Sequence, residues 1–366
     1  MTMGDPLRAA QEVKRTAALL RDARAVLRKL DGLAAVASSA DDPAHALHRS
    51  ATHGTPGTYG RSGTDGGRGS GGTASASRTA CACRAGSRCG TVRTVAVFTM
   101  VQWKGGVGKS TLAVHLAVAL DAVLVDLEPW GGATTWWAGP HASSVWQAPG
   151  PAPVLQALRT GRTPRPRSGG AGRPPLVPSH EQLLTIFDSA PTEAAAWAWT
   201  PEGQPALMVP TPAGPRRLSD AIRDGLRQWA AAWDCHVVVD TPGGHGPLAD
   251  GAAAAADVVI LPITLDQWSV PALCKFMATY AARVRCGLVV PNRVRDRVSD
   301  GQWAELLTSE GVIRPPFRLG PAVQEGELLH SASRPLTSGP TPGASRAAVL
   351  DQIAAVAAAA EAAAAS

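Results

Sequence analysis

The rhythm of hydrophobic and polar positions changes several times along the chain. Over residues 6–37, Leu19, Leu20, Val26, Leu27 and Leu30 recur at helical spacing among Lys14, Arg15, Arg21, Arg24, Arg28 and Lys29. This predicts a basic amphipathic helix over 1–37. Residues 38–92 then exchange nearly all large apolar side chains for Gly, Ser and Thr. Such a segment cannot bury enough surface to offset its chain entropy, so a flexible linker is expected. From residue 94 the texture becomes a series of short, continuous apolar runs: TVAVFTMV, AVLVDL (122–127), HVVVD (236–240), DVVILPI (257–263) and GLVVPN (287–292). Runs that are apolar throughout, rather than alternating, are strands buried on both faces. Helical stretches such as TLAVHLAVAL separate them. The pattern predicts an α/β domain over about 94–350, with a mostly parallel sheet and helices on both faces. It is interrupted by a Pro/Gly-rich insertion over about 139–178, expected as surface loop, with loop-like sequence continuing to about 215. An Ala-rich tail at 351–366 is helical by propensity.

Composition changes this picture in two places. The chain is 366 residues long with a net charge of +6. Residues 1–92 hold 13 Lys/Arg and 7 Asp/Glu, and the remaining residues hold 22 of each. The whole excess therefore belongs to the N-terminal arm, and the α/β domain is neutral. A basic helix can grip DNA, a membrane surface or a partner groove, or rest as a solvated helix on the main body. Second, no apolar run reads as long enough for a membrane span, and no apolar stretch of a secretory leader opens the chain. A cytoplasmic protein is expected. Cys81, Cys83 and Cys89 sit in the linker at spacing that lacks a fourth zinc ligand, whereas Cys235, Cys274 and Cys286 lie in apolar sequence as buried thiols. Of the eleven tryptophans, the pair Trp229/Trp233 at i, i+4 marks the buried face of a helix rather than a base-stacking platform.

The chemistry lies in Lys104-Gly105-Gly106-Val107-Gly108-Lys109-Ser110-Thr111, set between a strand and a helix. Glycines let the backbone wrap closely enough to aim N–H groups at phosphate oxygens, and the following helix adds its N-terminal dipole. Lys109 supplies a compact charge for the β- and γ-phosphates, and Ser110 a hydroxyl for Mg²⁺. The strict phosphate-loop pattern needs Gly at position 103, where this chain has Trp103, and a further lysine, Lys104, stands at the start of the loop.

That K-G-G-x-G-K-[ST] form resembles the deviant Walker A box of the ParA/MinD superfamily of ATPases, within the P-loop NTPase fold. VLVDLEPWGGATTWW (123–137) resembles the family's D-x-D-P-Q-G-x-A-T strand and turn. Asp126 matches its first acid. Glu128 stands in place of its second, water-orienting Asp, and Trp130 in place of Gln. HVVVDTPGG (236–244) resembles the Walker B strand, with Asp240 near the Mg²⁺ shell, and Asn292 follows a strand whose end contacts adenine in the family. The likeness covers about residues 94–345. It implies ATP and Mg²⁺ as cofactors, with Lys104, Asp126 and Glu128 as catalytic residues. Residues 105–111 and Asn292 would bind the nucleotide, and Ser110 and Asp240 the metal. It also implies a sandwich homodimer on ATP binding, in which Lys104 reaches the partner's ATP.

Among the sub-branches, partition ATPases fit best. The chain lacks paired cluster cysteines, a basic C-terminal helix or a second phosphate loop. The resemblance implies slow ATP hydrolysis, non-specific DNA binding, a ParB-like centromere-binding partner, a nucleoid-associated location and no stable membrane association. Arg283, Arg285, Arg293, Arg295, Arg297, Arg314 and Arg318 are the candidate phosphate-backbone contacts, in a stretch that also holds four acidic residues. Two alternatives remain: a related ATPase that positions another cargo, and a nucleotide-dependent dimerisation switch with negligible hydrolysis.

Overall fold

The computed structural model describes residues 94–169, 172–187, 196–199, 205–244, 246–264, 269–294, 307–308, 311–324 and 344–366. The basic helix and linker expected over 1–92 lie outside the described residues, as do Arg295 and Arg297. The strands in chain order are β1 (Val97–Met100), β2 (Val123–Asp126), β3 (Leu176–Val177), β4 (Ala196–Trp199), β5 (Pro205–Thr211), β6 (Gly214–Arg217), β7 (Val237–Asp240), β8 (Val258–Ile263), β9 (Gly287–Val294), β10 (Phe317–Leu319) and β11 (Val323–Gln324). The helices are α1 (Lys109–Ala119), α2 (Gly132–Ala138), α3 (Ala142–Trp146), α4 (Pro153–Thr160), α5 (Leu184–Phe187), α6 (Leu218–Trp233), α7 (Pro247–Ala255), α8 (Ser269–Tyr280) and α9 (Ala344–Ala365).

Every run read as a buried strand pairs in one eight-stranded sheet of order β10-β9-β8-β1-β7-β2-β3, with β11 also on β9. All its strand ladders are parallel. The two faces bury alternate residues of each run, so both must be apolar. Phe98, Met100, Leu124 and Val238 pack with Leu112 and Leu116 of α1 and with Ile353 and Val356 of α9. Val97, Val125, Val237 and Val239 pack with Leu155 of α4, Ile222, Leu226 and Trp229 of α6 and Leu248 of α7. Toward the β9 edge, Val259, Leu261 and Val289 meet Phe276 and Tyr280 of α8. Trp229 is buried and Trp233 half-buried beside it, their rings 6.3 Å apart, as the i, i+4 spacing requires.

Two expectations are corrected. The 139–178 insertion is not merely surface loop. Pro153 starts α4 and a left-handed Gly161 ends it, and between them Val154, Leu155, Ala157 and Leu158 are buried. Leu176 and Val177 form β3 and extend the main sheet beyond β2. Pro and Gly mark the ends of these short elements, and their density hid the four apolar positions between them. Further on, β4, β5 and β6 make a separate antiparallel sheet. The Ala-rich tail does not begin a new unit at residue 351 either. α9 runs unbroken from Ala344 to Ala365, and Val349, Ile353, Val356, Ala360 and Ala363 are buried in the core beside α1. Its segment Ala347–Ala365 is long and apolar enough to cross a membrane by length and composition, although Asp351 and Glu361 interrupt it and one of its faces is buried in the core. Alanine gives that length its apolar character without bulk, so one face can lie flat on a sheet.

Candidate functional site

The parallel sheet brings the ends of β1, β7 and β2 to one edge, and that edge assembles the site. Chain order reverses about β1, whose neighbours are β7 and β8, the arrangement in which α/β sheets open a crevice at their strand ends. The phosphate loop leaves β1 here. Asp126 and Asp240, the last residues of β2 and β7, are register partners, so two carboxylates from distant sequence segments stand side by side.

Gly106 and Gly108 of the loop adopt φ of +77° and +89°, conformations open to glycine. Gly108 is also the N-cap of α1, so the loop's last turn feeds directly into the helix. Gly105 and Gly106 are exposed, Val107 is buried beneath them, and Ser110 and Thr111 are half-buried. Lys109 is buried, and its ammonium lies close enough to Glu128 and Asp240 to favour both carboxylates in their charged forms. Lys104 is half-buried and donates from Nζ to Ser269 Oγ at 3.0 Å, at the start of α8, and Ser269 Oγ in turn lies 2.6 Å from Thr264 Oγ1.

The three acids occupy different environments. Asp126 is fully buried and saturated. Its Oδ1 accepts from the Glu128 N–H at 2.9 Å, and its Oδ2 accepts from the Thr134 N–H and Oγ1, both at 2.7 Å. Burial and then the facing Asp240 push its pKa well above the carboxylate range, against those hydrogen bonds. Asp126 therefore organises the turn that carries Glu128 rather than facing a reactant. Ser179, just past β3, completes the brace: its N–H donates to Thr134 Oγ1 at 2.9 Å and its hydroxyl to the Glu128 carbonyl at 2.6 Å.

Glu128 itself is half-buried at the rim, with its Oε1 3.5 Å from the Trp130 N–H. Burial raises its pKa, opposed by Trp130, Lys109 and Gly243. Trp130, two residues on, is the one large hydrophobic side chain exposed among the described residues, at 73%. Asp240 is the third acid. It is fully buried, and neither carboxylate oxygen has a hydrogen bond of ordinary geometry. Burial lifts its pKa to about 6, while the adjacent Ser110 hydroxyl and Lys109 pull it down. Any side chain at Gly132 would collide with Ser110 Oγ and come within 3.3 Å of Asp240 Oδ2, so this glycine keeps the space between them open. A buried carboxylate with its oxygens so loosely held, beside a hydroxyl, is a hard oxygen donor set, which fits Mg²⁺ held through few protein ligands.

Asn292 and Arg293, at the end of β9, lie against the phosphate loop. Asn292 is buried and its Nδ2 donates to the Val107 carbonyl at 2.8 Å. Arg293, expected among the DNA contacts, donates from Nη1 to the Gly106 carbonyl at 3.2 Å. The other described arginines lie elsewhere. Arg283 and Arg285 precede β9, and Arg314 precedes β10, which carries Arg318 in register with Leu288. All four are exposed. Arg285 Nη1 is 3.8 Å from Asp257 Oδ1. Arg285 stands just before Gly287, where β9 begins, and Arg293 near its other end; at about 3.3 Å per residue the six steps from Gly287 to Arg293 alone span roughly 20 Å. The structure thus places Arg293 at the phosphate-loop end of β9 and Arg283 and Arg285 before its opposite end. Sequence reasoning missed Ser179 and Ser269 as site residues, and Arg293, read from sequence as a DNA contact, lies instead on the phosphate loop. Ser179 is a single serine in a loop just past β3 and Ser269 a single serine opening α8, and neither carries a local signal.

A parallel sheet with a glycine-rich phosphate loop at its central strand and acids at the ends of the neighbouring strands defines a P-loop NTPase. No protein-family profile matches the chain. Among curated proteins it is 30% identical over 201 residues to Maintenance of carboxysome distribution protein A of Gloeobacter kilaueensis, covering 52% of this chain and 81% of that one. It is 27% identical over 181 residues to Chromosome partitioning protein ParA of Myxococcus xanthus, covering 48% of this chain and 54% of that protein. Among solved structures, the apo form of Cyanothece McdA superposes with a TM-score of 0.53 at 14% identity, over 73% of this chain and 99% of that one. An ATP complex of a Cyanothece McdA variant gives 0.52 at 14% identity, over 74% and 96%. At that identity the two structures speak to the fold. The chain belongs to the ParA/MinD family of partition ATPases.

Proposed function

We propose that this protein is a positioning ATPase: it binds ATP with Mg²⁺, dimerises around the nucleotide and hydrolyses it slowly to move a cargo over DNA. The observation that carries the reading is the buried Asp240 carboxylate facing Ser110 and Lys109 at the mouth of the phosphate loop, neither of its oxygens held by a hydrogen bond of ordinary geometry. An ion in that position would neutralise the carboxylate and supply charge stabilisation to the β- and γ-phosphates. The chain's own residues do the rest. Loop N–H groups and Lys109 hold the triphosphate. Glu128 orients a water whose oxygen attacks the γ-phosphorus as the bond to the bridging β–γ oxygen breaks, and it takes up the water's proton. Lys104, released from Ser269, reaches the partner's phosphates and stabilises the departing charge. Hydrolysis then requires the dimer. Asp126 keeps the Glu128 turn in place.

Arg283, Arg285, Arg314 and Arg318 form the DNA-contacting candidates toward the start of β9, away from the phosphate loop, with Arg295 and Arg297 outside the described residues. Contacts of that kind meet phosphates without reading sequence. The cargo is either a DNA locus held by a ParB-like partner or a large protein body. The relative named for carboxysome distribution matches over more of its own length, 81% against 54%, and that favours a protein body. The deciding experiment measures phosphate release with and without non-specific DNA. DNA-stimulated release that depends on protein concentration supports the cycle. Saturable ATP binding with no release under any condition leaves a dimerisation switch instead.

A further inference from the structure

The end of β9 grips two successive carbonyls of the phosphate loop. Arg293 donates to the Gly106 carbonyl at 3.2 Å and Asn292 to the Val107 carbonyl at 2.8 Å. The peptide unit is planar and trans, so the C=O of one residue and the N–H of the next point in opposite directions. Holding the Gly106 carbonyl outward therefore turns the Val107 N–H inward, and holding the Val107 carbonyl does the same for Gly108. Those are the N–H groups that a phosphate loop offers to its anion.

Three further features belong to the same contact. Gly108, at φ +89°, has no room for a Cβ, because Asn292 Nδ2 occupies the place it would take. Arg293 itself sits at φ +59°, a left-handed conformation that is uncommon for a long side chain and is kept where the surroundings enforce it. The strand end is also secured from behind. β11 pairs with β9 at Asn292 and Val294, and the Gln324 N–H donates to Gln352 Oε1 of α9 at 2.8 Å.

We propose that Asn292 and Arg293 are positioning residues that pre-set the Gly106–Gly108 segment for phosphate, rather than contacts for the adenine base or for DNA. The inference rests on the ATP-binding reading above. Without the clamp, the loop must pay at the moment of binding the conformational entropy that it now lacks.

The test is calorimetric titration of the full-length chain with Mg·ATP and, separately, with Mg·tripolyphosphate, which has the phosphates and no base. Asn292→Ala and Arg293→Gly are each expected to weaken both ligands by the same factor, about tenfold for one lost hydrogen bond. Arg293→Lys, which keeps a donor, should recover part of the loss. Arg293→Gly relieves the left-handed backbone, so its melting temperature should stay level or rise while affinity falls, a divergence that a purely structural role does not give. Loss for ATP alone would make Asn292 an adenine contact and overturn the proposal, as would unchanged affinity for both ligands. If the unmodified chain binds neither ligand, the ATPase reading fails first and the clamp with it.

Discussion

Replacing Asp240 by Asn should make the metal-free protein more stable at neutral pH while removing its capacity for Mg·ATP. An ordinary aspartate titrates near 3.9. Here burial holds the Asp240 carboxyl at about 6, against the pull of the neighbouring Ser110 hydroxyl, Lys109 and the Ala133 N–H. The difference of about 2 pH units corresponds to about 3 kcal/mol against the charged form. Because the folded state binds the proton more tightly than the unfolded chain, the favourable contribution is complete below about pH 4. It is lost as pH rises through about 6. An amide of nearly the same shape carries no such penalty at any pH. Urea unfolding of both proteins in EDTA between pH 4 and 8 should show a gain for the variant that is near zero at pH 4. The gain should grow to about 2–3 kcal/mol above pH 6.5. With Mg²⁺ and ATP at about a thousand times Kd the order should reverse, since ligand at that level adds about 4.1 kcal/mol to the protein that binds it. A variant less stable than the parent at pH 7.5, or a difference that ignores pH, would refute the assignment of Asp240 as an orphan carboxylate awaiting a cation.

Glu128→Asp tests the water-orienting role: the shorter carboxylate should raise the hydrolysis rate, because a reacting atom misplaced by about 1 Å costs on the order of 10²-fold. An unchanged or lower rate would count against it. Lys109→Ala should abolish nucleotide binding in a filter or calorimetric assay, whereas Lys104→Ala should keep it and lose the concentration-dependent hydrolysis. Equal loss of binding in both would remove the distinct role of Lys104. Arg283→Ala with Arg318→Ala should weaken binding to DNA of any sequence and lower the slope of log affinity against log salt by about two. Weaker ATP binding in the same variant would instead indicate a damaged fold.

Local pattern carried much of this protein, for a simple reason: a strand covered on both faces has to be apolar at every position. VLVD, VVVD and VVILPI therefore announce their place in a parallel sheet without any neighbour being known. The phosphate loop is legible for a similar reason. Its glycines, lysines and hydroxyls fall within one short stretch of chain, so the pattern that would cradle a phosphate is written in their spacing. Charge asymmetry was also a sequence property, since the neutral balance of the α/β domain needs only counting. What pattern could not reach was anything decided by approach between distant segments. Asp126 and Asp240 look alike as acids ending apolar strands. Only the packed structure makes one a brace, held by Thr134 and the Glu128 N–H, and leaves the other buried beside Ser110 and Lys109 without a hydrogen bond of ordinary geometry. Arg293 stands among other arginines in sequence, and the length of β9 carries it to the phosphate loop and away from Arg283 and Arg285. The alanines of α9 have too little side chain to declare a buried face. The sheet and α1 packed against them chose one.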